Sequence, residues 1–188
     1  MKRLPFLTVA LILTVFLCRS GVGTNHQALD PLAAIISSDA ASLSLEFSLS
    51  NLETEPVSVN GETCAAIRVT DEGTTYQFGK PLLPLVSRFV VVPPDAGLEL
   101  EVSVGEQRRI RADSPPQTCL EESLRSEGDD IGVENLYPPV VAEMSEPMQI
   151  RGVRVVKITT FPVQWDPQRD EYIYNERIQT TIRFTDSE

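Results

Sequence analysis

The sequence predicts an all-β protein, an antiparallel β-sandwich that follows a signal peptide and carries a long irregular excursion. Three observations predict it. Short segments alternate apolar and polar residues with the period of a strand, and Asn-Gly or Pro-Pro-rich turn sequences separate them. No segment beyond the N-terminus shows the period of a helix. This combination is typical of sandwiches and barrels.

The first 23 residues have the composition of a secretory signal peptide, with a basic start, an apolar run from Leu4 to Leu17 and a small-residue exit. The run is shorter than the roughly 20 residues of a membrane-spanning helix. Small side chains predict cleavage between Gly23 and Thr24, with cleavage after Ser20 as the alternative. We therefore expect export through the Sec pathway, to the periplasm, cell surface or medium, and no stable membrane anchor. A poorly ordered tail should follow over 24–34.

The predicted domain spans 35–185, and its first strands show clear alternation. Leu43, Leu45, Phe47 and Leu49 alternate with polar residues, which predicts one buried and one wet face. A later strand runs into Asn60-Gly61, a pair that accepts the positive φ angles of a tight hairpin turn. The return strand should cover 62–69, with its last apolar side chains, Ile67 and Val69, facing inward.

A proline-rich turn marks the next two strands. Residues 85–92 are apolar at nearly every position, which predicts a central strand buried on both faces. Residues 93–97 end it as a turn, and alternation resumes over 98–104. We expect the turn to join these two strands as a pair.

Residues 105–149 lack periodicity, and we expect them to form a long irregular excursion on the surface. Strand patterns return over 153–165 and again over 172–184. The two strand-rich stretches, about 42–104 and 151–184, should share one core.

The net charge of the exported chain narrows the class of its binding partners. Without the signal peptide, 13 basic and 27 acidic residues remain, a net charge of −14, which argues against nucleic acid and anionic membranes as partners.

Two cysteines remain in the exported chain, Cys64 and Cys119. They could pair in an oxidising compartment. Alternatively, Cys64 packs in a strand and Cys119 lies loose in the irregular segment, and the sequence leaves both open.

The chain offers little catalytic chemistry. Its single histidine, His26, falls in the expected tail, where no scaffold would hold it against a nucleophile. The acidic cluster of Asp129, Asp130 and Glu134 lacks the spacing of an EF-hand and fits a solvated linker. We therefore expect no catalytic residues, no metal and no cofactor, and interpret the chain as a binding or folding module.

Several motifs, taken in order, resemble the N-terminal propeptide of gingipain-type cysteine proteases. The similarity covers roughly 35–185. The motifs are Ser44-Leu45-Glu46-Phe47, Gly79-Lys80-Pro81-Leu82-Leu83-Pro84 with the strand and the Pro93-Pro94-Asp95-Ala96 turn that follow it, Tyr137-Pro138-Pro139, Arg151-Gly152-Val153-Arg154, and Phe161-Pro162-Val163-Gln164-Trp165-Asp166-Pro167.

The resemblance implies a β-sandwich that precedes a caspase-like catalytic domain, assists its folding, covers its active-site cleft and is removed by proteolysis. The family's catalytic His and Cys lie beyond this chain, so the partner would be a catalytic domain in cis or in trans. In the best-known members a basic side chain of the propeptide is thought to enter the specificity pocket. Arg108, Arg109 and Arg111, in the irregular segment, are our candidates for a protease-contacting or cleavable loop. The alternative is that they are solvated arginines that balance an acidic chain.

The alternative function is a secreted cell-surface sandwich that binds carbohydrate or protein. A sugar platform needs exposed aromatic rings on one face, and Trp165, Tyr172 and Tyr174 are the only cluster that could supply them. Their burial would weaken this alternative.

Overall fold

The computed structural model describes residues 32–49, 51–127 and 130–186. The predicted signal peptide, its Gly23–Thr24 cleavage site, His26 and most of the predicted tail lie outside the described residues. The strands are β1 (Ala33–Ser38), β2 (Ser42–Ser48), β3 (Leu52–Val59), β4 (Glu62–Val69), β5 (Gly73–Thr74), β6 (Pro84–Val91), β7 (Gly97–Val104), β8 (Gln107–Arg111), β9 (Ala142–Met144), β10 (Met148–Ile150), β11 (Val153–Thr160), β12 (Val163–Asp166), β13 (Glu171–Asn175) and β14 (Arg177–Thr185).

The strands form several antiparallel sheets, which confirms the all-β prediction. One sheet has the order β1-β2-β14-β7, and a second has the order β10-β11-β6-β5, with β9 also paired to β11. A three-stranded sheet, β12-β13-β8, and the β3-β4 hairpin complete the described part of the chain.

The larger core lies between the first two sheets. Leu45 and Ile182 from the first sheet pack in one cluster with Val90 and Ile158 from the second. This cluster joins side chains from both strand-rich stretches, as the sequence predicted. A second cluster forms around Trp165, and Leu49 and Leu52 pack against both clusters.

The β3-β4 hairpin forms at the residues that the sequence predicted. Asn60 and Gly61 have φ angles of 51° and 87°, the positive pair that a type I′ turn requires. Strand β4 begins at Glu62, and both Ile67 and Val69 are buried. The hairpin prediction is therefore confirmed.

Two expectations about the proline-rich turn were wrong. Strand β6 pairs with β5 and β11, whereas β7 pairs with β14, so the turn carries the chain from one sheet to the other. Arg154 holds the turn by donating hydrogen bonds to the carbonyls of Pro93 and Ala96, at 2.7 Å each. Strand β6 is also buried on one face only, because Phe89 and Val91 point to solvent.

The segment expected to be irregular, 105–149, contains three short strands, β8, β9 and β10. Strand β8 pairs with β13 throughout its length, yet all five of its residues are exposed. An edge strand that buries neither face needs no alternation of apolar and polar residues, so sequence periodicity could not reveal it.

Candidate functional site

A closed surface loop is tied at both ends to Gly79. The Gly79 amide donates to the carbonyl of Cys119 at 2.8 Å, and its carbonyl accepts from the amide of Gly132 at 2.6 Å. Residues 120–131, here called the Gly79 loop, therefore leave and return at one point, as Ω-loops do. Residues 128 and 129 of this loop are not described.

The base of the loop requires glycine at position 79. Gly79 has a φ of +72°, which side chains rarely adopt, and a Cβ there would overlap the carbonyl of Asp130. The neighbouring Lys80 donates from Nζ to the carbonyl of Gly132 at 3.0 Å. The Gly-Lys pair that opens the sequence motif at 79–84 thus fixes the stems of the loop.

Arg125 is the basic side chain of the described part of the loop. It follows a short 3₁₀ turn, Glu122–Leu124, and its own backbone is extended, with φ −73° and ψ 129°. Its side chain is 56% exposed and lies 3.4 Å from Glu122, while its guanidinium sits 5.2 Å from the ring centroid of Phe78. Exposed ion pairs contribute roughly 0–1 kcal/mol, so this side chain can be drawn away by a partner at little cost.

Sequence reasoning did not single out Arg125. A single arginine in an acidic, non-periodic stretch carries no pattern of its own. Its position depends on the approach of Gly79 to Asp130, residues about 50 positions apart in the chain. The one available signal was Gly79 itself, at the start of the motif.

The predicted arginine cluster does not lie in a loop. Arg108, Arg109 and Arg111 all belong to β8, whose residues pair with β13. Arg108 lies 3.0 Å from Glu176 and Arg109 lies 3.9 Å from Glu171. Their backbone is held in a strand ladder, so the expected loop is wrong, whereas contact of these arginines with a protease stays a prediction.

Cys64 packs in strand β4, as one alternative predicted. Cys64 and Cys119 are both free and both buried, so they do not form the possible disulfide. Nor is Cys119 loose, since its amide donates to the carbonyl of Lys80 at 2.9 Å.

The aromatic cluster is a core rather than a platform. Trp165, Tyr172 and Tyr174 are all buried, with the first two ring centroids 4.9 Å apart. Tyr172 donates to the carbonyl of Ser114 at 2.9 Å. Burial raises the pKa of Tyr172, and it raises the pKa of Tyr174 against the opposing effect of Arg108. These rings are therefore not available to stack on a sugar, which weakens the carbohydrate-binding alternative.

Metal and membrane chemistry find little support in the described residues. Within 32–49, 51–127 and 130–186, no three His, Cys, Asp or Glu side chains are grouped to hold a metal. Of the predicted acidic cluster, Asp129 lies outside these ranges. Over the same ranges, no helix has the length and apolar content to cross a bilayer.

Comparison with known proteins identifies relatives of this architecture. The model of the Propeptide_C25 family matches residues 24–188. A structure titled as the complex of Porphyromonas gingivalis RgpB pro- and mature domains superposes with a TM-score of 0.69 at 17% identity, covering 85% of this chain and 90% of that one. A structure on the zymogenic latency of gingipain K from Porphyromonas gingivalis superposes with a TM-score of 0.65 at 17% identity, covering 84% and 96%. No curated protein sequence matches.

Proposed function

This chain belongs to the Propeptide_C25 family, the propeptides of gingipain-type cysteine proteases, and from that premise we propose that it keeps such a protease latent by covering its active-site cleft. The observation that supports this proposal is the extent of the family match, which includes the whole predicted exported chain, residues 24–188. The propeptide is not the catalytic domain of these proteases. A covalent tether would hold it at high effective concentration, and cutting the tether would release the inhibition.

The Gly79 loop is the proposed point of contact with the cleft. Arg125 is exposed and its backbone is extended, which is the conformation in which proteases bind chain segments. The stems of the Gly79 loop are fixed to Gly79. Stems that are fixed before binding reduce the conformational entropy that the loop loses when it binds. Strand β8 is less suitable, because the backbone of Arg108, Arg109 and Arg111 already pairs with β13. We therefore assign the pocket-filling basic side chain to Arg125.

A substitution series tests the proposed latency function and the assignment of Arg125 as the pocket-filling side chain. The chain (residues 24–188) would be titrated against the mature domains of RgpB and gingipain K, with peptide hydrolysis as the readout. The unaltered chain should slow hydrolysis at micromolar concentration. Arg125→Ala should raise the inhibition constant by roughly tenfold or more, as expected for a buried arginine at an interface centre. Arg109→Ala, also an exposed ion-paired arginine, should change it less than twofold.

Each outcome has a separate meaning. No inhibition by the unaltered chain would count against latency as its function. Inhibition that survives Arg125→Ala but is lost in Arg109→Ala would return the contact to β8.

We further propose that the chain assists folding of the protease. A preformed sheet domain can bind the folding partner and shorten its search. Denatured catalytic domain diluted from guanidinium should recover more activity, after removal of the propeptide, when this chain is present. An equal yield with and without the chain would contradict the proposal.

Export completes the proposed role, since the relatives are propeptides of secreted proteases. We propose cleavage between Gly23 and Thr24, on the basis of the small residues at the exit of the apolar run. N-terminal sequencing of the exported chain should begin at Thr24. A protein that retains Met1 would contradict this site.

A further inference from the structure

The outer face of the sheet formed by β10, β11 and β6 exposes a continuous apolar surface. The register pairs Val155 with Val91 on one side and with Met148 on the other, and Val153 with Ile150. Directly paired residues share a face, so these side chains are neighbours. We call this surface the apolar sheet face, and its members are Phe89, Val91, Met148, Ile150, Val153 and Val155.

These side chains are unusually accessible for their size. Phe89 is 61% exposed and Val91 is 65% exposed, and Met148, Ile150 and Val153 are between 38% and 44% exposed. Together they expose on the order of 400 Å², the size at which the largest apolar patch of a monomer often has a binding role. Only Val155, in the middle, is buried by its neighbours.

The polar residues of this face lie at its border. Lys157 pairs with Phe89, and the hydroxyls of Ser87 and Thr159 lie 3.0 Å apart. The one carboxylate among the described residues paired on this face, Glu143, lies opposite Thr159 at the same border. Depletion of charge with enrichment in aromatic residues and Met is the composition of a protein–protein interface core. The face therefore fits a protein partner better than a sugar or a charged polymer.

We propose that the apolar sheet face is the docking surface for the catalytic domain of the protease, an inference that rests on the proposed function. The end of the C-terminal strand supports this occupant. Thr185 at the end of β14 pairs with Gly97, which closes the turn that begins just after Val91. A domain joined to β14 would thus begin at the turn that follows Val91, at one end of the apolar sheet face.

A second copy of this chain is a poorer occupant. Each exported copy has a formal net charge of −14, so a symmetric contact would bring two acidic surfaces together. The apolar area is about half of the roughly 800 Å² that each partner buries in a standard interface, so the catalytic domain would have to cover the polar border as well.

Paired charge substitutions test the docking surface. Phe89→Glu with Val91→Glu should raise the inhibition constant against the mature domains of RgpB and gingipain K by roughly thirtyfold or more, because two apolar contacts are replaced by charges that the complex would bury. The matched control is Ile35→Glu with Ile36→Glu on β1, whose side chains are 54% and 47% exposed on the other sheet. The control should change the constant less than threefold. Both proteins should keep the circular dichroism spectrum of the unaltered chain.

The outcomes separate this inference from the proposed function. If the unaltered chain does not inhibit, the proposed function fails first. If it inhibits and the Phe89/Val91 variant inhibits equally well, the docking surface is wrong while latency stands. Sedimentation completes the test. If the unaltered chain is a dimer and the Phe89/Val91 variant is a monomer that still inhibits, the apolar sheet face serves self-association and the proposal is overturned.

Discussion

Two buried threonine hydroxyls have opposite surroundings, which leads to opposite expectations for the same substitution. The hydroxyl of Thr180, fully buried on β14, has no hydrogen-bond partner among the described residues. A buried polar group without a partner costs roughly 1–3 kcal/mol. Thr180→Val replaces this hydroxyl with a methyl group of similar shape. We expect it to raise the free energy of unfolding by about 1 kcal/mol, measured by urea titration.

The matched substitution is Thr75→Val. Thr75 Oγ1 donates to the carbonyl of Pro81 at 2.7 Å and accepts from the amide of Leu83 at 2.9 Å. Its loss leaves two buried backbone groups unpaired, and we expect a loss of about 2 kcal/mol. A Thr180→Val variant that is destabilised to the same extent would show that the Thr180 hydroxyl does have a partner.

Two glycines have positive φ angles, one in the hairpin turn and one at the base of the Gly79 loop. Substituting each of them separates the free-energy cost of backbone strain from the cost of steric overlap. At Gly61, in the hairpin turn, an added Cβ would meet no atom within 4 Å, whereas at Gly79 it would overlap Asp130. Gly61→Ala should therefore cost only backbone strain, about 1 kcal/mol. Gly79→Ala should cost more than about 2 kcal/mol, since the stems of the Gly79 loop must move as well.

Limited trypsin digestion distinguishes the two variants independently of stability. Gly79→Ala should speed cleavage after Arg125, because freed stems let the loop enter a protease site. Gly61→Ala should leave that rate unchanged. Equal cleavage after Arg125 in both variants would mean that Gly79 does not hold the loop.

The elements differ in how far the sequence could predict them. The β3-β4 hairpin was predicted to the residue because Asn60 and Gly61 specify the turn locally. The strands that pair with β6 and β7 were not predicted. An alternating strand has the same pattern whichever strand it pairs with, and here the partners, β11 and β14, lie far away in the chain. The arginines of β8 were found but misplaced, because an exposed edge strand resembles a loop in composition.

At the scale of the whole molecule, we expect the two hydrophobic clusters to unfold as one unit. Leu49 and Leu52 pack against both the sandwich core and the cluster around Trp165. Shared packing makes separate unfolding of either cluster costly. Trp165 is the single tryptophan, so its fluorescence reports the second cluster, whereas circular dichroism reports all the sheets. The two signals should therefore change together.

Alkaline pH offers a global test of this coupling. Burial raises the pKa of Tyr137, Tyr172 and Tyr174 in the folded protein, which therefore holds protons that the unfolded chain releases. The stability from these groups is complete below their unfolded pKa, near 10, and is lost as pH rises through the raised folded values. With three such groups, the free energy of unfolding should fall by up to about 4 kcal/mol per pH unit above pH 10. Urea titrations at pH 9, 10 and 11 measure this, with both optical signals recorded. A free energy of unfolding that stays constant to pH 11 would contradict the raised pKa values of the three tyrosines. A change in Trp165 fluorescence at lower urea than the change in circular dichroism would contradict unfolding as one unit.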